Sequence, residues 1–250
     1  MVKIILNGCN GKMGKFVTAA VKAREDMEIV AGIDIFGESD GGFPVYASID
    51  EIKEEADALI DFSNSASLNS VVAGCVGRKL PAVICTTGLS SEQIESLNEA
   101  SKEIPVFFSA NMSIGVNLLV ELSKTAAKFL GGSFDIEIVE AHHNQKVDAP
   151  SGTALMIADA IKGELEGDID YEYNRQAKRE KRPRSEIGIH SVRGGNIVGE
   201  HEVIFAGNDE IVKISHSARS RALFATGAVN AAVFIADKKP GMYSMSDMLK

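Results

Sequence analysis

Near-continuous apolar runs alternate with stretches of helical spacing through the first half of the chain. The runs are Val2-Lys-Ile-Ile-Leu6, Glu28-Ile-Val-Ala-Gly-Ile33, Asp57-Ala-Leu-Ile-Asp-Phe62, Pro81-Ala-Val-Ile-Cys85 and Pro105-Val-Phe-Phe108. Each reads as a strand, and such runs suit strands buried on both faces. Between them, Phe16, Val17, Ala20 and Val21 mark one helix, and a second runs to about Lys79. A third runs to about Lys102, capped by Ser90 with Glu92 and Gln93 in its first turn. This alternation predicts a doubly wound parallel sheet, with ligands lying across the carboxyl ends of the strands.

Beyond residue 113 the pattern changes. A helix is predicted over 114–130, closed by Gly131 and Gly132, then an alternating strand over 134–139 and an amphipathic helix over 155–161. Strands without intervening helices follow, over 187–192, 197–205 and 210–215. The turns Arg193-Gly-Gly-Asn196 and Ala206-Gly-Asn-Asp209 suit hairpins. A last helix over 221–236, continued through Gly241-Met-Tyr-Ser-Met245, packs back on the first domain. The fold class is α/β. A Rossmann-type doubly wound domain takes residues 1–113 and 222–250, and an α+β domain with a mixed sheet takes 114–221.

The densest chemistry lies at one strand-to-helix junction, Glu140-Ala-His-His-Asn-Gln-Lys-Val-Asp-Ala-Pro-Ser-Gly-Thr-Ala154. His142, His143 and Lys146 place proton donors within a few positions of the strand end. Ser151, Gly152 and Thr153 read as a helix start, with a cap, close backbone approach and amide groups that attract a carboxylate or phosphate. Together they describe a site for a small anion that also needs a proton. Either histidine alone reads equally well as an ordinary strand-end residue.

A second signal follows the first strand. Gly8, Gly11 and Gly14 form a variant of the dinucleotide fingerprint, and Asp34 ends the second strand where an acid bonds the adenosine ribose. Ile35 and Phe36 follow where an NADPH enzyme often supplies an Arg, which tilts the cofactor toward NADH. Lys12 or Lys15 could still reach the extra phosphate, so NADPH stays open. Phe62-Ser63, Thr86-Thr87 and Ser109-Ala110-Asn111 also fall at strand ends, where turn chemistry accounts for each singly.

Composition narrows the partners. A net charge of −9 over 250 residues argues against general affinity for nucleic acid or anionic membranes. With no apolar run near the ~20 residues of a membrane span and no signal-peptide architecture at the start, a cytoplasmic protein is expected. Cys9, Cys75 and Cys85 lack CxxC spacing and suggest neither disulfides nor a zinc site. His190, His201 and His216 read as core or surface residues, and no metal is expected. The basic run over 175–184 reads as a solvated mobile loop; the alternative is closure over an anionic ligand or contact with a neighbouring subunit.

The central stretch resembles the signature of the 4-hydroxy-tetrahydrodipicolinate reductase (dihydrodipicolinate reductase) family. The resemblance extends through Gly8-Cys-Asn-Gly-Lys-Met-Gly14, Asp61-Phe-Ser63, Thr86-Thr-Gly88, Asn111-Met-Ser-Ile-Gly-Val-Asn117, Arg193-Gly-Gly-Asn-Ile-Val-Gly-Glu-His201 and His216-Ser-Ala-Arg-Ser-Arg221. It implies NADH- or NADPH-dependent reduction of a cyclic dicarboxylate in the lysine and diaminopimelate pathway, by a homotetramer built through the second domain. It implies a cofactor site at Gly8, Cys9, Asn10, Gly11, Lys12, Met13 and Asp34, helped by Cys85, Thr86, Thr87, Ser109, Ala110, Asn111 and Met112. His142 matches the acid/base residue and Lys146 the proton donor; His143, Ser151, Gly152 and Thr153 fall at the substrate site. Cys85 departs from the Gly of many members, which would narrow the nicotinamide pocket. The chemistry of the residues agrees, since hydride delivery to an unsaturated ring leaves charge that an ammonium or imidazolium can stabilise and protonate. Exchanging the roles of His142 and Lys146 remains an alternative, as do a different two-domain dehydrogenase and a non-catalytic nucleotide sensor.

Overall fold

In chain order the elements are β1 (Val2–Asn7), α1 (Lys12–Lys22), β2 (Met27–Ile33), β3 (Val45–Tyr46), β4 (Ala58–Asp61), α2 (Leu68–Arg78), β5 (Ala82–Ile84), α3 (Ser91–Ala100), β6 (Pro105–Phe108), α4 (Ile114–Leu130), β7 (Asp135–His142), α5 (Gly152–Lys162), β8 (Asp170–Glu172), β9 (Glu186–Arg193), β10 (Gly199–Ala206), β11 (Ile211–Ala218), α6 (Ala222–Ile235), β12 (Gly241–Tyr243) and α7 (Met245–Met248). The computed structural model describes residues 1–37 and 41–249. They form two compact units, Met1–Ile114 with Arg221–Lys250, and Gly115–Ser220.

The first unit holds a seven-stranded parallel sheet in the order β12-β6-β5-β4-β1-β2-β3. Alternation along β1 feeds two cores. Ile4 and Leu6 pack with Val17 of α1 and Ala228 of α6, while Ile5 packs with Val72 of α2 and Leu97 of α3. Helices thus cover both faces, and all of β4 is buried. The Ser90–Gln93 capping box starts α3 as its sequence predicts. Residues 241–243 do not extend the last helix. They pair in parallel with β6 as an edge strand.

The second unit holds a mixed five-stranded sheet, order β11-β10-β7-β9-β8. The inward residues of β7, Ile136 and Ile138, pack with Ile157 and Ile161 of α5 and Leu119 of α4. Burying each such side chain contributes roughly 1.5–3 kcal/mol. One predicted hairpin forms, β10–β11, closed by Gly207 N–H donating to the Glu210 carbonyl at 2.9 Å. The other does not. β7 lies between β9 and β10, parallel to the first and antiparallel to the second. The Gly194-Gly195 turn instead arches over the end of β7, where Gly194 N–H donates to the His142 carbonyl at 2.9 Å and Asn144 N–H to that of Gly195 at 3.2 Å.

The basic run is pinned rather than simply solvated. Arg175 pairs with the buried Glu186, Lys178 with Glu172, and Arg182 with Asp135 and Glu137, both at 2.9 Å. The acids that hold it sit on three strands, out of reach of any local reading.

Candidate active site

Strand β7 ends in Glu140 and His142, which alternation places on the same face as the core residues Ile136 and Ile138. Glu140 is wholly buried. Its oxygens accept from Arg193 Nη1 and Nη2 at 2.8 and 2.7 Å and from the Ser151 amide at 3.0 Å, and Oε2 lies 2.6 Å from His142 Nδ1. Burial alone would raise its pKa. The donors, Arg193 first, outweigh that and hold it down at about 2. Register delivers Arg193, which stands opposite His142 on β9.

His201 completes the cluster from β10. It is buried, packs edge-to-face on His142 with ring centroids 5.3 Å apart, and places Nε2 3.1 Å from Ser151 Oγ. Burial, assisted by His142, pushes its pKa down to about 4, so the ring is neutral near pH 7. Ser151 Oγ also caps α5, accepting from Ala154 N–H at 3.1 Å. Space above Gly152 is open. The intervening loop holds His143, whose carbonyl accepts the Lys146 amide, and the half-buried Lys146 side chain, 2.9 Å from Asp148. His142, His143, Lys146, Ser151, Gly152 and Thr153 thus cluster at one end of this sheet. Among the described residues no group of His, Cys, Asp and Glu could hold a metal ion.

In the first unit a cavity of about 380 Å³ lies at the carboxyl ends of the strands, lined in part by Gly8, Asn10, Gly11, Asp34, Phe36 and Ser63. Gly8 has φ +76°, and a Cβ there would lie 2.8 Å from the Phe62 carbonyl oxygen. Gly11 caps α1 without a side-chain bond, which leaves the start of that helix to an anion. Asp34 accepts from Asn10 N–H at 3.0 Å and Phe36 N–H at 3.2 Å. A glycine cradle, an uncapped helix start and an acid at the end of β2 fit a dinucleotide.

The other candidates divide. Cys9 is buried against Gly32, so only its backbone belongs to the loop. Lys12 is exposed on α1, and Met13 packs on the core. Cys85 and Met112 are core residues, and Thr86 Oγ1 donates to Asp61 at 2.7 Å. Thr87 and Ala110 are exposed; Ser109 Oγ donates to the Asn111 carbonyl at 2.9 Å. None of these lines the cavity.

Two family models account for nearly the whole chain: dihydrodipicolinate reductase, N-terminus, over residues 2–112, and dihydrodipicolinate reductase, C-terminus, over residues 115–249. The chain belongs to the dihydrodipicolinate reductase family. Relatives named 4-hydroxy-tetrahydrodipicolinate reductase are similar throughout. That of Caldanaerobacter subterraneus subsp. tengcongensis is 55% identical over 250 residues, covering 100% of this chain and 99% of the relative. That of Clostridium tetani is 51% identical, covering 100% and 97%. The fold matches a dipicolinate-bound dihydrodipicolinate reductase from Paenisporosarcina sp. TG-14, with TM-score 0.83, 24% identity and 100% of both chains covered.

Sequence reasoning gave no role to Glu140, Arg193 or His201, which bind the histidine cluster, nor to Asn7 and Asp61. Asp61 is wholly buried and accepts from Asn7 Nδ2 at 2.7 Å, from Ser63 and from Thr86. The signal was present: Asp61, Glu140, Arg193 and His201 all lie inside the segments that carry the resemblance. A charged residue at an inward position of a strand was the physical clue.

Proposed function

We propose that this chain reduces 4-hydroxy-tetrahydrodipicolinate with NAD(P)H and a proton to tetrahydrodipicolinate, the 4-hydroxyl leaving as water, in the cytoplasm, as a step of lysine and diaminopimelate biosynthesis. The observation that carries this is the His142–Lys146 cluster beside the α5 start, in a chain of this family. The first unit is the dinucleotide-binding domain. Gly8, Cys9, Asn10, Gly11, Lys12 and Met13 hold the pyrophosphate through backbone and helix start, and Asp34 the ribose; Thr86, Thr87 and the 109–112 turn flank the nicotinamide. NADH is favoured over NADPH, because Ile35 and Phe36 bring no cation beside the Asp34 carboxylate.

When bound, the cofactor supplies the hydride. His143 and the backbone of Gly152 and Thr153 hold a substrate carboxylate, Ser151 shapes that turn, Lys146 donates the proton and His142 acts as its acid/base partner. The outer face of the second sheet exposes Val192 and Ile211, apolar positions that support assembly of this domain into a homotetramer.

The test couples a synthase, which condenses pyruvate with aspartate semialdehyde, to loss of NADH or NADPH absorbance. Synthase-dependent oxidation, faster with NADH, is expected. Lys146→Ala should lower kcat by roughly 10²–10⁴-fold while leaving NADH affinity unchanged. A chain that binds NADH yet oxidises none would be a nucleotide sensor or a different dehydrogenase.

A further inference from the structure

Glu140 is more than a paired acid at a strand end. It joins four segments: its own β7, Arg193 on β9, the Ser151 amide at the start of α5 and, through Arg193, the loop that carries Lys146, since Arg193 Nη2 also donates to the Asp148 carbonyl at 2.7 Å. With both oxygens of Glu140 held by the guanidinium, the carboxyl stays ionised and can only accept. His142 Nδ1, 2.6 Å from Oε2, must therefore carry the proton of the neutral ring. Nε2 is left with its lone pair on the opposite side, beside Gly199, where a Cβ would come within 3.2 Å of it.

We infer that Glu140, clamped by Arg193, is a positioning residue that fixes the tautomer of His142 and dedicates Nε2 to exchange with the substrate. The inference rests on the reduction proposed above and divides its labour: neutral His142 accepts at Nε2, and donation falls to Lys146. Other groups near the ring are His201 from β10, the neutral Ser151 from α5, and the Lys146–Asp148 pair from the loop; His216 on β11 stands opposite His201. The His201 contact is an edge-to-face ring contact, whereas Glu140 makes a hydrogen bond to a ring nitrogen.

Nitrogen NMR of the full chain with ¹⁵N-labelled histidine reads the tautomer directly, with His142→Gln to assign the signals. At a pH where the ring is neutral, a protonated Nδ1 and an unprotonated Nε2 are expected. A dominant Nε2–H form overturns the inference. The functional arm is the double variant Glu140→Gln with Arg193→Met, which removes both charges together and strands neither. It should keep its affinity for NADH, lower kcat by roughly tenfold to a thousandfold and displace the pH–rate profile. Unchanged kcat and pH profile in a variant that binds NADH also overturn it. If the double variant does not fold, the tautomer of the unaltered chain decides. If the unaltered chain shows no synthase-dependent oxidation, the reduction fails, while the tautomer still tells whether Glu140 sets His142.

Discussion

The glycine turn of the first unit presents backbone, whereas the cluster of the second is made of side chains. Around Gly8 and Gly11 the working groups are amides and a helix start, and the side chain that touches them, Asp34, accepts from two amides in turn. Around His142 the working groups are an acid, a guanidinium, a hydroxyl and a second imidazole, drawn from three strands and a helix. A backbone site tolerates no added atoms, and a side-chain site tolerates no unpaired charge. The two should therefore fail in different ways.

The largest contrast is expected from Gly14→Ala. Its Cβ would sit 2.3 Å from the Gly8 carbonyl oxygen and 2.4 Å from that of Cys9, so the glycine turn must shift. NADH binding should weaken by more than about tenfold and stability fall by roughly 1–3 kcal/mol, while the ¹⁵N signals of His142 stay in place. Intact NADH binding would show that the turn is not the cradle.

A smaller effect is expected from Asp34→Ser combined with Ile35→Arg, which exchanges the ribose acid for a hydroxyl and adds a cation. The ratio of kcat/KM for NADPH to that for NADH should rise about tenfold or more. An unaltered ratio would place cofactor choice elsewhere, with Lys12 or Lys15 next to be tested.

The last concerns acid. The folded chain holds His201 at about 4 against an ordinary 6.5, so the unfolded chain takes up that proton first. Stability should begin to fall below about pH 6.5 and lose this contribution fully by about pH 4. Glu140, at about 2 against an ordinary 4.5, contributes fully above about pH 4.5 and loses its contribution as pH falls toward 2. Denaturation midpoints across this range should show both phases, and His201→Asn should shrink the upper one alone. An upper phase of full size in that variant would assign it to other groups.

This contrast also explains what could be read from the chain. The parallel sheet was legible because its strands are near-continuous apolar runs, and the glycine loop because backbone geometry writes itself in glycine spacing. His142, Lys146 and Ser151 stood out because they are close in sequence. Arg193 is 53 residues from Glu140, and His201 is 50 from Ser151. Only the pairing of β7 with β9 and β10 brings them together. The same cause defeated the hairpin read at Arg193-Gly-Gly-Asn196. Two glycines between strands signal a tight reversal, but nothing local says that a third strand occupies the space between them.

That inserted strand has a consequence for synthesis. Both edges of β7 are paired with strands that come later in the chain. A nascent chain that has emerged as far as Lys181 contains His142, His143, Lys146 and Ser151, but neither strand that fixes the one they extend from. The charged cluster must wait for β10, with its central strand open on both sides until then.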